Sequence, residues 1–291
     1  MGVLNVTPDS FSDGGRWAST DAAIEHGLLL HAQGADLIDV GGESTRPGAI
    51  RVDPAEEQRR ILPVVTELAR QGLRLSVDTL NATTARAAAN AGVSIINDVS
   101  GGLADPDMAA VAADTGLTYV AMHWRAHAQK MDSLAEYDNV VSEVIAELGA
   151  RVDALTAAGV VRERIVLDPG LGFSKQNEHN WQLINRLDAF AELGLPVMVG
   201  ASRKRFLAAV LPVGAPVLER DLPTAVLSVL AAQAGAWAVR VHDVAATSVA
   251  LRVLDLVGQP TPRATDEVSN ASLRSDPMES GLIRSPLPDC G

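Results

Sequence analysis

Two short groups of cations follow apolar runs in the C-terminal half of the chain. Ser202-Arg203-Lys204-Arg205 comes after Pro196 to Val199, and Arg240-Val241-His242-Asp243 comes after Ala238-Val239. In a chain of net charge -12, such groups mark where an anionic part of a substrate would be met. Opposite in sign, Asp78, Asp98 and Asp168 each close a short apolar run. Three carboxylates on one face repel one another unless donors satisfy them, and a ligand carrying an array of N–H groups would do so. Asp78 or Asp98 alone reads equally well as a helix cap. Arg203 and Arg205 read as solvent-facing on a helix, whereas Lys204, and above all Arg240 at the end of an apolar strand, do not. His123 reads either as a site residue or as a hydrogen-bonded rim residue. No Cys/His spacing matches a zinc site, and there is no nucleophile elbow or phosphate-binding Walker loop, so covalent catalysis has no good candidate.

Three glycine-rich loops accompany these groups: Asn5-Val-Thr-Pro-Asp-Ser-Phe-Ser-Asp-Gly-Gly15, Gly41-Gly-Glu-Ser-Thr-Arg-Pro-Gly48 and Asp168-Pro-Gly-Leu-Gly-Phe173. The first is dense in turn formers and the second holds a single cation, Arg46. Loops of this kind on an active face tend to close over a substrate.

The elements that must position all this are eight apolar, β-rich runs: Gly2 to Val6, Leu37 to Val40, Leu73 to Val77, Ser94 to Asn97, Tyr119 to Met122, Ile165 to Leu167, Pro196 to Val199 and Ala238 to Val241. Each is followed by a polar residue, respectively at or near Asn5, Asp39, Asp78, Asn97, His123, Asp168, Ser202 and Arg240. Between them, helical apolar spacing covers Asp21 to Gln33, Ala55 to Gln71, Ala82 to Ala91, Val140 to Ala158, His179 to Leu193, Leu222 to Ala234 and Ala245 to Val257. Gly34, Gly72, Gly92, Gly116, Gly159, Gly194 and Gly235 stand where helices should stop. Buried parallel strands read as continuous apolar segments, and barrel enzymes keep their chemistry where strands meet the following loops. The fold class is therefore α/β, a single (β/α)8 TIM barrel over residues 1–257, with 258–291 a disordered C-terminal tail rich in Ser, Pro, Asp and Arg. Met1 stands immediately before the first strand, and the start reads as truncated or misassigned.

With 47% hydrophobic and 21% charged residues, the chain has the composition of a globular protein with ample core. Its acidity argues against nucleic-acid and anionic-membrane partners. No apolar run is long enough for a bilayer. The lone cysteine, Cys290, permits no intrachain disulfide, and a cytoplasmic location is expected.

Taken together, the segments Gly2 to Gly15, Asp39 to Gly48, Ser76-Val-Asp-Thr79, Ile95-Ile-Asn-Asp98, Leu167-Asp-Pro-Gly170, Gly200-Ala-Ser-Arg-Lys204 and Arg240-Val-His-Asp243 resemble the dihydropteroate synthases of folate biosynthesis. Those transferases join 6-hydroxymethyl-7,8-dihydropterin diphosphate to p-aminobenzoate and release pyrophosphate. The resemblance implies that Asp78, Asn97 and Asp168 hold the pterin, that Lys204 bonds its acceptor atoms, and that Phe173 walls the pocket. It implies that Arg240, Val241 and His242, with Thr45, belong to the pterin diphosphate site, Lys204, Arg240, His242 and Asp168 being the catalytic set. It places p-aminobenzoate among Phe11, Asp13, Thr45, Arg46, Pro47 and Ser202, and gives Asn5 to Mg2+. A dissociative displacement, a homodimer and sulfonamide sensitivity are also implied. The alternatives are a pterin-dependent methyltransferase domain, against which the paired cation groups argue, and a catalytically silent pterin-binding paralogue.

Overall fold

The computed structural model describes residues 1–7, 16–43, 52–126 and 131–258. Eight parallel strands alternate with helices: β1 (Gly2–Asn5), α1 (Arg16–Ala32), β2 (Ile38–Gly41), α2 (Pro54–Arg70), β3 (Leu75–Asp78), α3 (Ala82–Ala91), β4 (Ile95–Asp98), α4 (Met108–Thr115), β5 (Thr118–Met122), α5 (Val140–Ala157), β6 (Ile165–Asp168), α6 (Asn177–Asn185), β7 (Met198–Val199), α7 (Asp221–Gln233), β8 (Ala238–Val239) and α8 (Val244–Gly258). β1 to β6 form one sheet in chain order, and β7 pairs with β8. Single parallel bridges join the two, Leu167 to Val197 at one seam and Gly2 to Val241 at the other. At the second seam the Val3 N–H donates to the Val241 carbonyl and the Val241 N–H to the Met1 carbonyl. The eight strands thus follow one another in the order of a (β/α)8 barrel.

Two expectations change in detail. The stretch read as one helix from His179 to Leu193 is α6 followed by a 3-10 segment, Leu187–Leu193. α4 was not foreseen, being a short alanine-rich helix. The seven glycines expected at helix ends all have positive φ.

The chain divides into two units, Met1–Leu254 and Asp255–Gly291. Every described strand lies in the first; of the second, only the last turn of α8 is described, and of the expected tail (258–291) only Gly258, the end of α8, is among the described residues. No described helix is long and apolar enough to cross a membrane.

Side chains alternate across a strand, and the barrel uses that alternation to stack its interior. Met1, Leu37, Ile95, Val120, Val166 and Met198 form an apolar cluster of their own. One inward position further along the strands stand Asp39, Asn97, Met122, Asp168, Gly200 and Arg240. The apolar layer excludes water from beneath this polar one. The outward-pointing strand residues, such as Leu4, Val40, Val77, Ile96, Tyr119, Ala121 and Leu167, join the larger core that packs against the helices.

Candidate active site

A cavity of about 530 Å³ opens at the ends of the later strands, lined among others by Asn97, Met122, Asp168, Phe173, Lys204 and Arg240, with Ser202 and His242 at its edge. The registers Asp78 beside Asn97 and Met122 beside Asp168 bring the polar residues to one level.

Asp168 is buried. Its Oδ1 accepts the Gly170 N–H at 2.7 Å, and its Oδ2 lies toward Gly200, where an added Cβ would sit 3.4 Å away. Burial raises its pKa, with Lys204 opposing. Burial pulls Lys204 down to about 8, while Asp168 pulls it up. The Lys204 ammonium donates to the Leu171 carbonyl and stands 4.2 Å over the Phe173 ring, within cation–π range.

Arg240 anchors the opposite wall. Its Nε donates to Asp39 Oδ2 at 2.6 Å and its Nη2 to Asp78 Oδ2 at 2.7 Å. Asn97 Nδ2 donates to the same Asp39 oxygen at 2.9 Å, which leaves the Asn97 carbonyl oxygen as its acceptor for a ligand. Burial raises Asp78 to about 7 against the pull of Arg240. Asp39 and Asp78 in turn hold Arg240 firmly protonated despite burial. Ser202 and His242 form a third pair: the Ser202 hydroxyl oxygen accepts the His242 N–H at 3.1 Å and lies 2.9 Å from its Nδ1.

Several sequence-based assignments are revised by position. Asp98 follows inward-facing Asn97 and so faces the helices. Its oxygens accept from Ser100, Gly102 and Tyr119, so only two of the three expected carboxylates remain as ligand partners. Asp78 stands level with Asn97 and is paired through its Oδ2 with Arg240. Val241 has its side chain in the core and both backbone groups in the β1–β8 seam. Arg203 is paired with Asp221 at 2.6 Å and Arg205 is exposed as read, and both also border the cavity. Thr45, Arg46, Pro47, Phe11 and Asp13 lie outside the described residues. Asp39 was named at a strand end but given no role, and Met122 and Lys175 were not foreseen as site residues; the first two follow once the inward register of the strands is known.

The loop after β6 is shaped by close approach. Gly170 has φ +67°, and a Cβ there would lie 2.3 Å from the His123 carbonyl oxygen; at Gly172, φ +78°, it would lie 2.8 Å from Lys204 Cδ. Gly170→Ala is expected to cost about 2 to 4 kcal/mol, the sum of a left-handed backbone penalty and overpacking against main chain. Gly214→Ala, with φ +84° and open space around it, should cost only about 1 kcal/mol. Urea denaturation of both variants checks the difference.

A (β/α)8 barrel whose strand ends set an acceptor edge beside buried cations defines an enzyme for a small, anion-bearing molecule with its own N–H edge. The chain belongs to the pterin-binding enzyme family, whose model matches residues 1–242. It is 54% identical over 260 residues to a dihydropteroate synthase of Mycobacterium leprae, covering 87% of this chain and 91% of that one. Among solved structures it is similar to the Xanthomonas albilineans dihydropteroate synthase with 4-aminobenzoic acid, with TM-score 0.83 and 44% identity over 89% of this chain and 93% of that one. It is also similar to a Yersinia pestis dihydropteroate synthase in a sulfonamide complex, with TM-score 0.82 and 38% identity over 88% and 93%.

Proposed function

We propose that this protein is a dihydropteroate synthase, joining 6-hydroxymethyl-7,8-dihydropterin diphosphate to p-aminobenzoate with release of pyrophosphate. The observation that carries the reading is the meeting of Asn97, Asp168 and Lys204 in one cavity beside Arg240 and His242, in a chain so similar to synthases over nearly its whole length. Asp168 Oδ2 and the Asn97 carbonyl offer acceptors to the 2-amino and ring N–H edge of a pterin, while Lys204 donates to its acceptor atoms. Phe173 and Met122 supply apolar walls for a flat ring.

The diphosphate lies toward His242 and Arg240. The C–O bond at the pterin methylene breaks as negative charge gathers on the leaving pyrophosphate, and the aniline nitrogen of p-aminobenzoate then attacks the resulting cation. The protein's part is electrostatic: cations fixed in a dry wall stabilise the departing charge without reorganising. Arg240 is held for this by Asp39 and Asp78. Ser202, with Phe11, Asp13, Thr45, Arg46 and Pro47, completes the p-aminobenzoate site.

The donor set suits magnesium. Asn5 offers an amide oxygen at the end of β1, and the described residues include no cluster of His, Cys, Asp or Glu that would cage a metal; Mg2+ prefers to take its remaining ligands from phosphate and water. Bound there, it would neutralise charge on the diphosphate.

Pyrophosphate release measured with and without p-aminobenzoate tests the reading, which requires release to depend on p-aminobenzoate and to fall when a sulfonamide is added. Binding of the pterin diphosphate with no turnover would instead make the chain a silent paralogue. Lys204 gives a pH signature: as it is charged only below about 8, kcat/KM for the pterin substrate should fall on the alkaline side of that value. Lys204→Arg should move that limb to higher pH, because guanidinium stays protonated. Lys204→Ala should cost about 1.5 to 3 kcal/mol in kcat/KM.

The chain works as a homodimer. Leu222, Val226 and Leu230 line one face of α7 at four-residue spacing, Val249 and Val253 lie on α8, and all are exposed; a second copy of the same face would cover them. Sedimentation should give a dimer, converted to monomer by Leu230→Asp with Val253→Asp.

A further inference from the structure

The cavity wall contains a second lysine that the chemistry above does not use. Lys175 is only 6% exposed. Its Nζ donates to His123 Nδ1 at 2.9 Å and back to the Phe173 carbonyl at 3.0 Å. With the Lys175 Nζ as donor, His123 is the neutral tautomer with its proton on Nε2, and that nitrogen lies 2.9 Å from Glu147 Oε2. Burial, then the nearby Lys175, hold His123 down at about 4, in keeping with this tautomer. Glu147 also accepts from Arg125. Arg125 stacks 3.9 Å over the Tyr137 ring, and the Tyr137 hydroxyl donates to the Ser174 carbonyl at 2.9 Å. Ser174 is the residue before Lys175, so the contacts close into a ring: Lys175, His123, Glu147, Arg125, Tyr137 and Ser174.

This ring encloses the one stretch of loop that carries Phe173. Ser174 has φ +47°, a conformation that a non-glycine residue keeps only when its surroundings over-determine it. On one side the loop presses on β5 at Gly170, on the other Lys204 crosses Gly172 and meets the Phe173 ring.

We propose that Lys175 is a positioning residue for pterin recognition, pinning the loop after β6 to the end of β5 so that Phe173 stands against Lys204 as one wall of the ring pocket. The inference rests on the synthase reading of that pocket. A lysine that merely filled space would be replaceable by an unbranched apolar side chain. Lys175→Met keeps the length and removes both hydrogen bonds.

The test is titration of wild type and variants with 6-hydroxymethylpterin, followed by pterin fluorescence, together with KM for each substrate. Lys175→Met is expected to weaken pterin binding about tenfold, the equivalent of one hydrogen bond. KM for the pterin diphosphate should rise in step and KM for p-aminobenzoate should stay unchanged. Unchanged pterin binding, whatever happens to thermal stability, overturns the proposal, as does an equal rise in both KM values. If Lys175→Met does not fold, Tyr137→Phe opens the ring while keeping the stack on Arg125, and about threefold weaker pterin binding is expected for one neutral hydrogen bond; no change overturns the proposal. Wild-type protein that fails to bind the pterin would overturn the functional reading itself, an outcome distinct from binding that Lys175→Met leaves intact.

Discussion

Replacing Arg240 with leucine is expected to abolish activity and to destabilise the protein by about 3 to 5 kcal/mol, the cost of removing one partner from a buried ionic group. Thermal melting should fall by roughly 10 °C for a chain of this size. The reason is that Asp39 and Asp78 are buried against their shared, largely covered cation, and the variant leaves both facing an apolar replacement. The pH dependence has a definite sign. Burial holds Asp78 at about 7 in the folded state, above its ordinary value of 3.8, so the folded state binds this proton more tightly than the unfolded one. Removing Arg240 raises the folded pKa further. The deficit of the variant should therefore be largest above neutral pH and shrink as pH falls and the carboxyl takes up its proton. Melting curves of both proteins at pH 8 and pH 6 measure this. An equal gap at the two values would mean that the deficit does not come from the ionisation of Asp78.

Asp168→Asn is expected to separate binding from folding. The amide keeps the shape and can still accept the Gly170 N–H through its oxygen, so thermal stability should change little. Its NH2 then lies toward Gly200, where Asp168 offered an acceptor. A pterin N–H would meet a donor, and a charge-assisted bond worth about 1.5 to 3 kcal/mol would become a clash of like dipoles. A loss of roughly a hundredfold to a thousandfold in kcat/KM for the pterin substrate follows. A variant with near-normal kcat/KM would remove Asp168 from the pterin site.

Strand placement was largely legible in the sequence because each run of aliphatic residues buried on both faces has to end where its carbonyls and side chains meet loop and ligand. The ends of β1 to β6 fall within a residue of the apolar runs. β7 and β8 are shorter than their runs, because Val197 and Val241 pair only through single bridges at the seams. Helix α4 was missed since Ala109, Ala110, Ala112 and Ala113 give little contrast between faces.

The site was legible as a set of residue types, but less so as a set of directions. Asp98 looked like Asp78 and Asp168; only the alternation that turns Asn97 inward shows that its neighbour must turn out. Asp39 sits within an apolar strand beside glycines, and its partner Arg240 is 201 residues away, which no local pattern reveals. Lys175 was unreadable for a similar reason. Its role arises from a side chain folding back onto its own loop and meeting a histidine 52 residues earlier.

The floor of the cavity is a chain of shared bonds: Asn97 and Arg240 meet on one oxygen of Asp39, and Arg240 reaches on to Asp78. Few single substitutions in it would break only one contact, so its genetic freedom is small. A compound that draws its affinity from this floor would confront a target with few routes of escape.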